Sequence, residues 1–502
     1  MSRSAAVATY RNVRTDVVVS GDAPKTHPPP SRSLSCLQSL IASVSSHPLS
    51  TPAAANQASV NSLPALVAMC RNVLTDEVVA GDAPKTQQPP SRPLSCVRRR
   101  AIGFNFNTST IANNVVNALH LEAHLADAPA LSYLKIQGGG DGCIRILAVD
   151  KNLILLESML PSPQKEKEWM LSSSPRVSIY IIYDALAQSI SMIPSHPWSQ
   201  SCDPFSKEWG HGPTALASSI LIARPPGDDG SYALVSMAEM ANHSDALYLW
   251  RSSSPEWNLV KAEFPPEFKG YYASHGYTAV LAFSFGGRAF WANLVHGVMY
   301  CSCDALLSAP SRRGAILKFH FIELPIEQPR QLPPHILCAM ELRSNMYRTM
   351  GHVGESSIKF VSIDGFMQLL DFVDCTVTVW SLSPNEDMTT WTEHSLCLGT
   401  LAEQQKFKKG SLSTDMVPMY PILSMEEEDI IYFMLGKYAP CCSKHKGSKK
   451  KCKEYVAVAG TALHLLRVDM RHGVLLDSVR LPNQWGVDFT FCDLNRYLCG
   501  TL

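Results

Sequence analysis

Short apolar runs with period-two alternation, separated by turn residues, dominate the chain from Ala101 onward. Such alternation puts every second side chain on one face, which is typical of half-buried β-strands. The runs that we expect to form strands are Ser132–Gln137, Cys143–Val149, Leu153–Glu157, Val177–Tyr183, Ser189–Ile193, Tyr232–Met237, Leu247–Trp250, Trp257–Ala262, Val280–Phe285, Ala289–Leu294, Gly297–Cys301, Ala315–Leu324, Ser357–Ile363, Met367–Phe372, Thr376–Trp380, Ile430–Leu435, Tyr455–Val458, Leu463–Asp469 and Val474–Leu481. Their spacing predicts an all-β, mainly antiparallel fold with one or two short helices.

Two local predictions are more specific. Ser132–Gln137 and Cys143–Val149 flank the glycine-rich stretch 138–142, which predicts a hairpin with a loose loop. Ile111–Ala126 is the best candidate for a helix, because its apolar residues fall roughly on one stripe, and Thr108 or Ser109 could cap it.

A recurrence of tryptophans favours a β-propeller over other all-β folds. Leu247–Trp250 is followed by a turn and Trp257, and Val377–Trp380 is followed by a turn and Trp391. Both read as outer hairpins that carry a Trp on each arm. At roughly 40–45 residues a blade, the β-rich part has room for six or more blades with insertions. A sandwich or barrel remains the alternative.

The first hundred residues differ from the rest and form a predicted leader. They are rich in Ser, Pro and Ala, and residues 11–36 return as residues 71–96 at a period of 60. Two such copies hold little apolar material, so we expect a mostly disordered leader over 1–100. A β-rich domain over 101–485 and a C-terminal tail over 486–502 would follow.

Composition and charge narrow the function classes. Hydrophobic residues make up 46% of the 502, which is enough for a sizeable core. Lys+Arg and Asp+Glu balance at 44 each, so the chain has no overall attraction to nucleic acid or anionic membranes. No run approaches the roughly 20 apolar residues of a membrane-spanning helix.

Localisation follows from the leader and the cysteines. The N-terminus lacks a secretory apolar core, and 15 scattered cysteines then indicate reduced thiols in the cytoplasm or nucleus. The arginines and small residues of the leader also fit an organellar transit peptide, which is the alternative.

Two motifs resemble a known family. The first runs through Gly287, Arg288, Trp291, Gly297 and Tyr300, and the second contains Ser424, Met425, Asp429 and Asp469. Their order and spacing resemble the plant family, expanded in grasses, known as domain of unknown function 1618. The similarity runs through most of residues 101–485. The resemblance implies a propeller-like domain similar to those attached to F-box proteins, although the leader contains no F-box pattern, and it implies no reaction or cofactor.

These signature residues also have a structural interpretation. Gly287 and Arg288 read as a turn that enters a strand, and Asn293–Gly297 reads as the tip of a tight hairpin. Trp291 is then a core anchor rather than a ligand platform.

The one metal-like cluster is Cys442, His445 and Cys452, within a basic loop over 436–454. Zinc prefers four Cys or His ligands in a tetrahedron, but the lysines of this loop repel a dication. An exposed basic insertion is therefore the favoured interpretation. Lys444–Lys453 could make weak contact with phosphate or nucleic acid or act as a nuclear-localisation segment, but no aromatic residue is interleaved for base stacking.

No linear catalytic motif is present, since the G-x-S-x-G elbow, the P-loop and H-E-x-x-H are all missing. The leading hypothesis is a non-enzymatic, adaptor-like module that binds an unidentified protein or peptide on a loop-built face. The first alternative is a propeller that binds or hydrolyses glycans or small molecules with acids in a central channel. The second is a duplicated family copy with little retained function.

Overall fold

The computed structural model has a mostly antiparallel β architecture with a five-bladed propeller arrangement. The structure describes residues 70–72, 91–94, 96–104, 106–124, 133–137, 145–160, 177–195, 214–215, 220–225, 230–239, 245–254, 256–265, 279–308, 316–326, 344–354, 357–367, 370–383, 390–410, 412–424, 427–440, 455–457 and 463–481. The predicted tail over 486–502 and most of the predicted leader lie outside these residues.

A four-stranded N-terminal sheet precedes the blades. In the spatial order β1-β5-β4-β2 it contains β1 (Cys70–Asn72), β2 (Ser91–Pro93), β4 (His120–His124) and β5 (Tyr133–Gln137). Strand β3 (Arg98–Ala101) is not part of this sheet and pairs in parallel with β9 (Ser189–Pro194). Helix α1 (Phe106–Ala118) lies between β3 and β4 in sequence. The leader boundary predicted at residue 100 therefore falls within β3.

Blades 1 and 2 are the larger sheets. Blade 1 contains β6 (Arg145–Asp150), β7 (Leu153–Leu160), β8 (Val177–Asp184) and β9 (Ser189–Pro194), with β3 at its outer edge. Blade 2 contains β10 (Thr214–Ala215), β11 (Leu221–Ala223), β12 (Ala233–Glu239), β13 (Asp245–Arg251) and β14 (Trp257–Glu263), and a later strand, β18 (Leu317–Lys318), pairs in parallel with β14.

Blades 3, 4 and 5 each contain four strands. Blade 3 is formed by β15 (Leu281–Phe285), β16 (Arg288–Asn293), β17 (Gly297–Ser302) and β19 (His320–Glu323), with helix α2 (Cys303–Ser308) after β17. Blade 4 is formed by β20 (Arg348–Val353), β21 (Ser357–Asp364), β22 (Thr376–Leu382) and β23 (Trp391–Cys397).

Two helices connect blade 4 to blade 5. They are α3 (Gly399–Ala402) and α4 (Gln405–Lys409). Blade 5 is formed by β24 (Val417–Leu423), β25 (Ile430–Gly436), β28 (Leu463–Asp469) and β29 (Val474–Leu481), and the small hairpin of β26 (Tyr438–Pro440) and β27 (Tyr455–Ala457) lies between β25 and β28.

Alternating side chains join each blade to both neighbours. In β21, Ile358 and Phe360 pack against blade 3, whereas Val361 and Ile363 pack against blade 5. Similar apolar layers join blade 1 to blade 2 and blade 2 to blade 3. One continuous cluster contains residues of blades 4, 5 and 1 together with α1, and it closes the ring. Because both faces of each sheet are buried, the strands contain long apolar runs.

Several sequence predictions are confirmed. Asn293 pairs with Gly297 across the tip of the β16–β17 hairpin. Trp250 lies opposite Trp257 in blade 2, and Trp380 and Trp391 lie on the paired strands β22 and β23 of blade 4. The tryptophan hairpins are therefore present, and the ring holds five blades rather than the six or more that its length allows.

Other local predictions are wrong. Tyr133–Gln137 pairs with β4 and β1, and Arg145–Asp150 pairs with β7, so the hairpin predicted around residues 138–142 does not form. The predicted helix is confirmed over residues 111–118, but it begins at Phe106, so neither Thr108 nor Ser109 precedes it as a cap, and it ends at Ala118, after which His120–His124 is a strand. In both cases the pairing partners available in the N-terminal sheet override the local pattern.

Two predicted strands also differ in the structure. Ala315–Leu324 splits into β18 and β19, which belong to blades 2 and 3. Met367–Phe372 contains no strand among its described residues, and a 3-10 helix begins at Phe372.

Candidate interaction surface

A polar network lies where the inner strands of three blades meet. Asp150, at the end of β6, is the one Asp or Glu among the described residues of the inner strands β6, β11, β15, β20 and β24. Its Oδ2 atom lies 2.6 Å from Nε of Arg224, which follows β11 in blade 2. The Ser284 hydroxyl of blade 3 donates to Asp150 Oδ1 at 3.3 Å. The carboxylate is thus neutralised and joins three blades.

Amide and carboxylate groups extend this network within blade 1. Arg224 Nη2 donates to Asn152 Oδ1 at 2.7 Å, and Asn152 Nδ2 donates to Asp184 Oδ1 at 2.6 Å. Arg224 and Asn152 are buried, so each charged and amide group of this network needs a hydrogen-bond partner. Such a network holds the blades in position relative to one another, and it keeps the Asp150 carboxylate paired with Arg224.

Buried thiols in the described part of the chain are poor nucleophiles. Burial raises the pKa of the Cys303 thiol to about 12, against the opposing hydrogen bond from the Arg224 backbone. Burial, followed by the charges of nearby acids of which Asp374 comes first, raises the pKa of Cys375 to about 11. Since the thiolate is the reactive form, both side chains stay protonated near neutral pH.

The first set of signature residues builds the core hairpin of blade 3. Gly287 has φ 72° at the β15–β16 turn, and Arg288 lies 5.8 Å from the centroid of the Tyr300 ring. Trp291 is fully buried, in agreement with its interpretation as a core anchor. Gly297 starts β17 directly beneath the ring of Phe321, so this position has no room for a side chain.

The second set shapes turns of blade 5. Ser424 is buried, and its hydroxyl accepts a hydrogen bond from the Glu427 backbone at 3.1 Å. Asp429 lies 4.0 Å from Lys359 Nζ of blade 4. Burial alone would raise the pKa of Asp469, but hydrogen bonds from His472 outweigh it and lower that pKa. Met425 lies outside the described residues.

The metal candidates Cys442, His445 and Cys452 also lie outside the described residues, as does most of the basic loop 436–454. Within the described ranges, no group of three or more His, Cys, Asp or Glu side chains could hold a metal ion. The zinc interpretation and the basic-insertion interpretation both stay predictions.

An exposed apolar surface is present at one end of blade 4, on the loop 365–375 that joins the central strands β21 and β22. Met367 is 40% exposed, Leu370 is 40% exposed and Val373 is 37% exposed. Asp371 and Asp374 on the same loop are exposed as well. Large apolar side chains that are grouped on a surface, with charges around them, are typical of a binding site. We call the loop 365–375 together with the connection 398–410 the blade 4 rim.

Aromatic packing holds the loop of the blade 4 rim in place. Phe372 is fully buried, and its ring stacks on Phe407 of α4 with centroids 5.0 Å apart. The Phe372 backbone donates to Thr414 at 3.1 Å, and Leu370 donates to Gly365 at 3.1 Å. The neighbouring exposed side chains are therefore displayed from a fixed backbone.

Close packing also anchors the helices of the blade 4 rim. A Cβ at Gly399 would lie 2.9 Å from the Val373 carbonyl oxygen, so the loop and α3 approach closely there. Gln404 Nε2 donates to Gly473 at 2.7 Å, and its Oε1 accepts from the Leu475 backbone at 2.9 Å. Lys408 and Lys409 of α4 are exposed to solvent.

Sequence reasoning missed this surface because it assigned Met367–Phe372 to a strand. The available signal was in the sequence itself, where Gly365 precedes the run and Asp371 and Asp374 lie in and just after it, since glycine and aspartate are both depleted in strands. The Asp150–Arg224 pair was missed as well, because its residues lie 74 positions apart.

Comparisons with known proteins are consistent with these observations but do not extend them. A family model described as "Protein of unknown function (DUF1618)" matches residues 291–432. No curated protein matches the chain. Plant origin and F-box association stay predictions from the resemblance.

Solved structures with some similarity are distant. A neuraminidase-like protein from the A/bat/Guatemala isolate is 8% identical over 66% of this chain and 72% of its own, with a TM-score of 0.29. The WD40 domain of SCAP from fission yeast is 9% identical over 74% of this chain and 73% of its own, with a TM-score of 0.26. These scores carry no argument about function. Separately, none of the helices in the described segments has the length and apolarity needed to cross a membrane.

Proposed function

From a chain whose residues 291–432 match the DUF1618 family, we propose a non-enzymatic interaction module that binds a protein or peptide partner through the blade 4 rim. The proposal rests on the group of three exposed apolar side chains on the loop 365–375. This loop and the connection 398–410 both lie within the family match. The proposal agrees with the loop-built binding face expected for rigid β scaffolds.

The charges of the rim suggest the character of the partner. Asp371 and Asp374 are exposed on the same loop as the apolar residues, and Lys408 and Lys409 are exposed on α4, whose Phe407 stacks on Phe372 of the loop. A partner segment with an apolar anchor and charges of both signs beside it would be complementary. A large apolar anchor at the centre would supply most of the affinity, and the charges would orient it.

Rigidity of the rim favours tight binding. Phe372 and its backbone hydrogen bond hold the described part of the loop, and Gln404 holds the connection 398–410, so little conformational entropy remains to be lost there. The adaptor-like role is part of this proposal and rests on the same surface.

The proposal is tested with a photo-crosslinking residue at Met367 in the full chain, followed by mass spectrometry of the attached partner. The affinity of that partner is then measured for Leu370→Asp. Because the partner would cover Leu370 on binding, an aspartate at this position should weaken the affinity at least about tenfold. Ile316→Asp is the matched control, because Ile316 is 55% exposed outside the rim. Equal affinity for the Leu370→Asp chain and the unaltered chain would contradict the proposal.

A further inference from the structure

The duplicated segment of the leader has a structural role in one of its copies. Residues 11–36 (the first copy) and residues 71–96 (the second copy) are identical at 20 of 26 positions. Segments with such similar sequences can form similar strand pairs and side-chain contacts. A surface of this chain that binds one copy can therefore also bind the other.

The second copy contacts both edges of the β4–β5 hairpin. Arg71 and Asn72 at its start pair in parallel with Lys135 and Ile136 of β5. Strand β2 near its end pairs antiparallel with β4, with Arg92 opposite Ala123. The hairpin is thus covered on its two sides by one copy of the repeat.

Leu94 anchors the second copy to the core. Its side chain is buried among residues of α1 and blade 1, and its N–H donates to the Leu121 carbonyl at 2.8 Å. Cys96 is half-buried against the same cluster. A single apolar anchor beside a short strand is the usual form of a docked peptide.

The first copy carries the same anchor and flanks. Ser31, Arg32, Leu34 and Cys36 stand where the second copy has Ser91, Arg92, Leu94 and Cys96. The differing position is Ser33 in place of Pro93, and a serine can occupy a strand at least as well as a proline, which lacks an N–H. Nothing in the sequence of the first copy therefore prevents the same pairing.

We propose that the β4–β5 hairpin is a docking site that either copy can occupy, and that the first copy of the same chain replaces the second when the second is displaced. Only Val97 separates the second copy from β3, so almost no loop has to be closed when this copy docks. The second copy is therefore the preferred occupant. For the first copy, residues 37–97 would form the connection to β3. The entropic cost of closing a loop grows only slowly with its length, so the replacement stays accessible.

The exchange is tested on the full chain with Leu94→Asp, Leu34→Asp and the double variant. The first measurement is the alkylation rate of Cys96 and Cys36 by iodoacetamide, followed by mass spectrometry. In Leu94→Asp we expect Cys96 to react about tenfold faster and Cys36 about tenfold slower than in the unaltered chain. Leu34→Asp should leave the Cys96 rate within about twofold, because the second copy remains docked.

Hydrogen exchange of the β4 amides gives the second measurement. Protection of His120–His124 should survive in either single variant and fall about tenfold or more in the double variant. Protection of β21 in blade 4 reports whether each variant keeps the propeller folded. Loss of β4 protection in Leu94→Asp alone, with β21 still protected, would overturn the proposal, and so would retained protection in the double variant. Light scattering gives a further check. If the first copy docks only when the mass is doubled, it docks on a second chain, and that result would also overturn the proposal.

Discussion

Gly297 offers the sharpest test of how blade 3 packs. A Cβ at this position would lie 2.2 Å from Cζ of Phe321, 2.5 Å from its Cε2 atom and 2.8 Å from the Ile322 carbonyl oxygen. Carbon atoms pack best at about 3.5–4.0 Å, so the ring would have to retreat by more than about 1 Å. Ring movement alone is not sufficient, because the Ile322 oxygen belongs to the backbone of β19.

We expect Gly297→Ala to lower the free energy of unfolding by about 2 kcal/mol, the usual range for an overpacked core site. The measurement is urea unfolding followed by tryptophan fluorescence, with the slope of the transition checked for constancy. Gly351→Ala is the matched control, since the nearest atom to its Cβ is Leu423 Cδ1 at 3.8 Å. The control should be neutral or slightly stabilising, because alanine restricts the unfolded chain.

A double-mutant cycle separates the ring from the backbone. Phe321→Leu should recover about 1 kcal/mol of the Gly297→Ala penalty, and the rest should persist because the Ile322 oxygen remains in place. Additive effects of the two substitutions, or a Gly297→Ala chain as stable as Gly351→Ala, would refute the packing explanation.

Two further predictions concern buried polar groups. Arg224→Met should destabilise the fold by about 3 kcal/mol in urea unfolding, because it leaves the Asp150 carboxylate, only 18% exposed, beside an uncharged neighbour. Adding Asp150→Asn should restore part of the loss, and an undiminished stability of Arg224→Met would show that the pair does not join the blades. Burial, assisted by the charge of Arg480, lowers the pKa of His464 below its ordinary 6.5. The unfolded chain then binds the proton more strongly, so stability is complete above pH 6.5 and declines as the pH falls toward the folded pKa. Urea midpoints between pH 7.5 and 5 should therefore depend less on pH in His464→Asn, and an unchanged pH dependence would assign the titration to another group.

Local patterns sufficed where a strand has both faces buried against neighbours. Val377–Trp380 and Gly297–Cys301 lie within observed strands, because short apolar runs rich in β-branched and aromatic residues suit a strand that is buried on both faces. Local patterns failed for residues 132–149, where a glycine-rich stretch between two strand-like runs indicated a hairpin. The two strands instead pair in separate sheets, β5 with β4 and β6 with β7.

The blade 4 rim illustrates the same limit at the candidate site. Met367, Leu370 and Phe372 have similar apolar character in sequence, yet Phe372 is buried on Phe407 and the other two are exposed. The difference arises from α4, which lies more than thirty positions further along the chain. Apolar composition alone does not say which of these side chains finds a partner within the fold.

By itself the sequence determined the all-β class, the tryptophan hairpins and the tip at Asn293–Gly297, since each depends on residues close together in the chain, and direct comparison of its segments gives the repeat of the leader. Only the tertiary structure decided the five blades, the closure of the ring through α1, the pairing of Asp150 with Arg224 and the docking of Leu94. These features depend on contacts between residues far apart in sequence, whose geometry is set by how the twisted sheets pack rather than by any local preference.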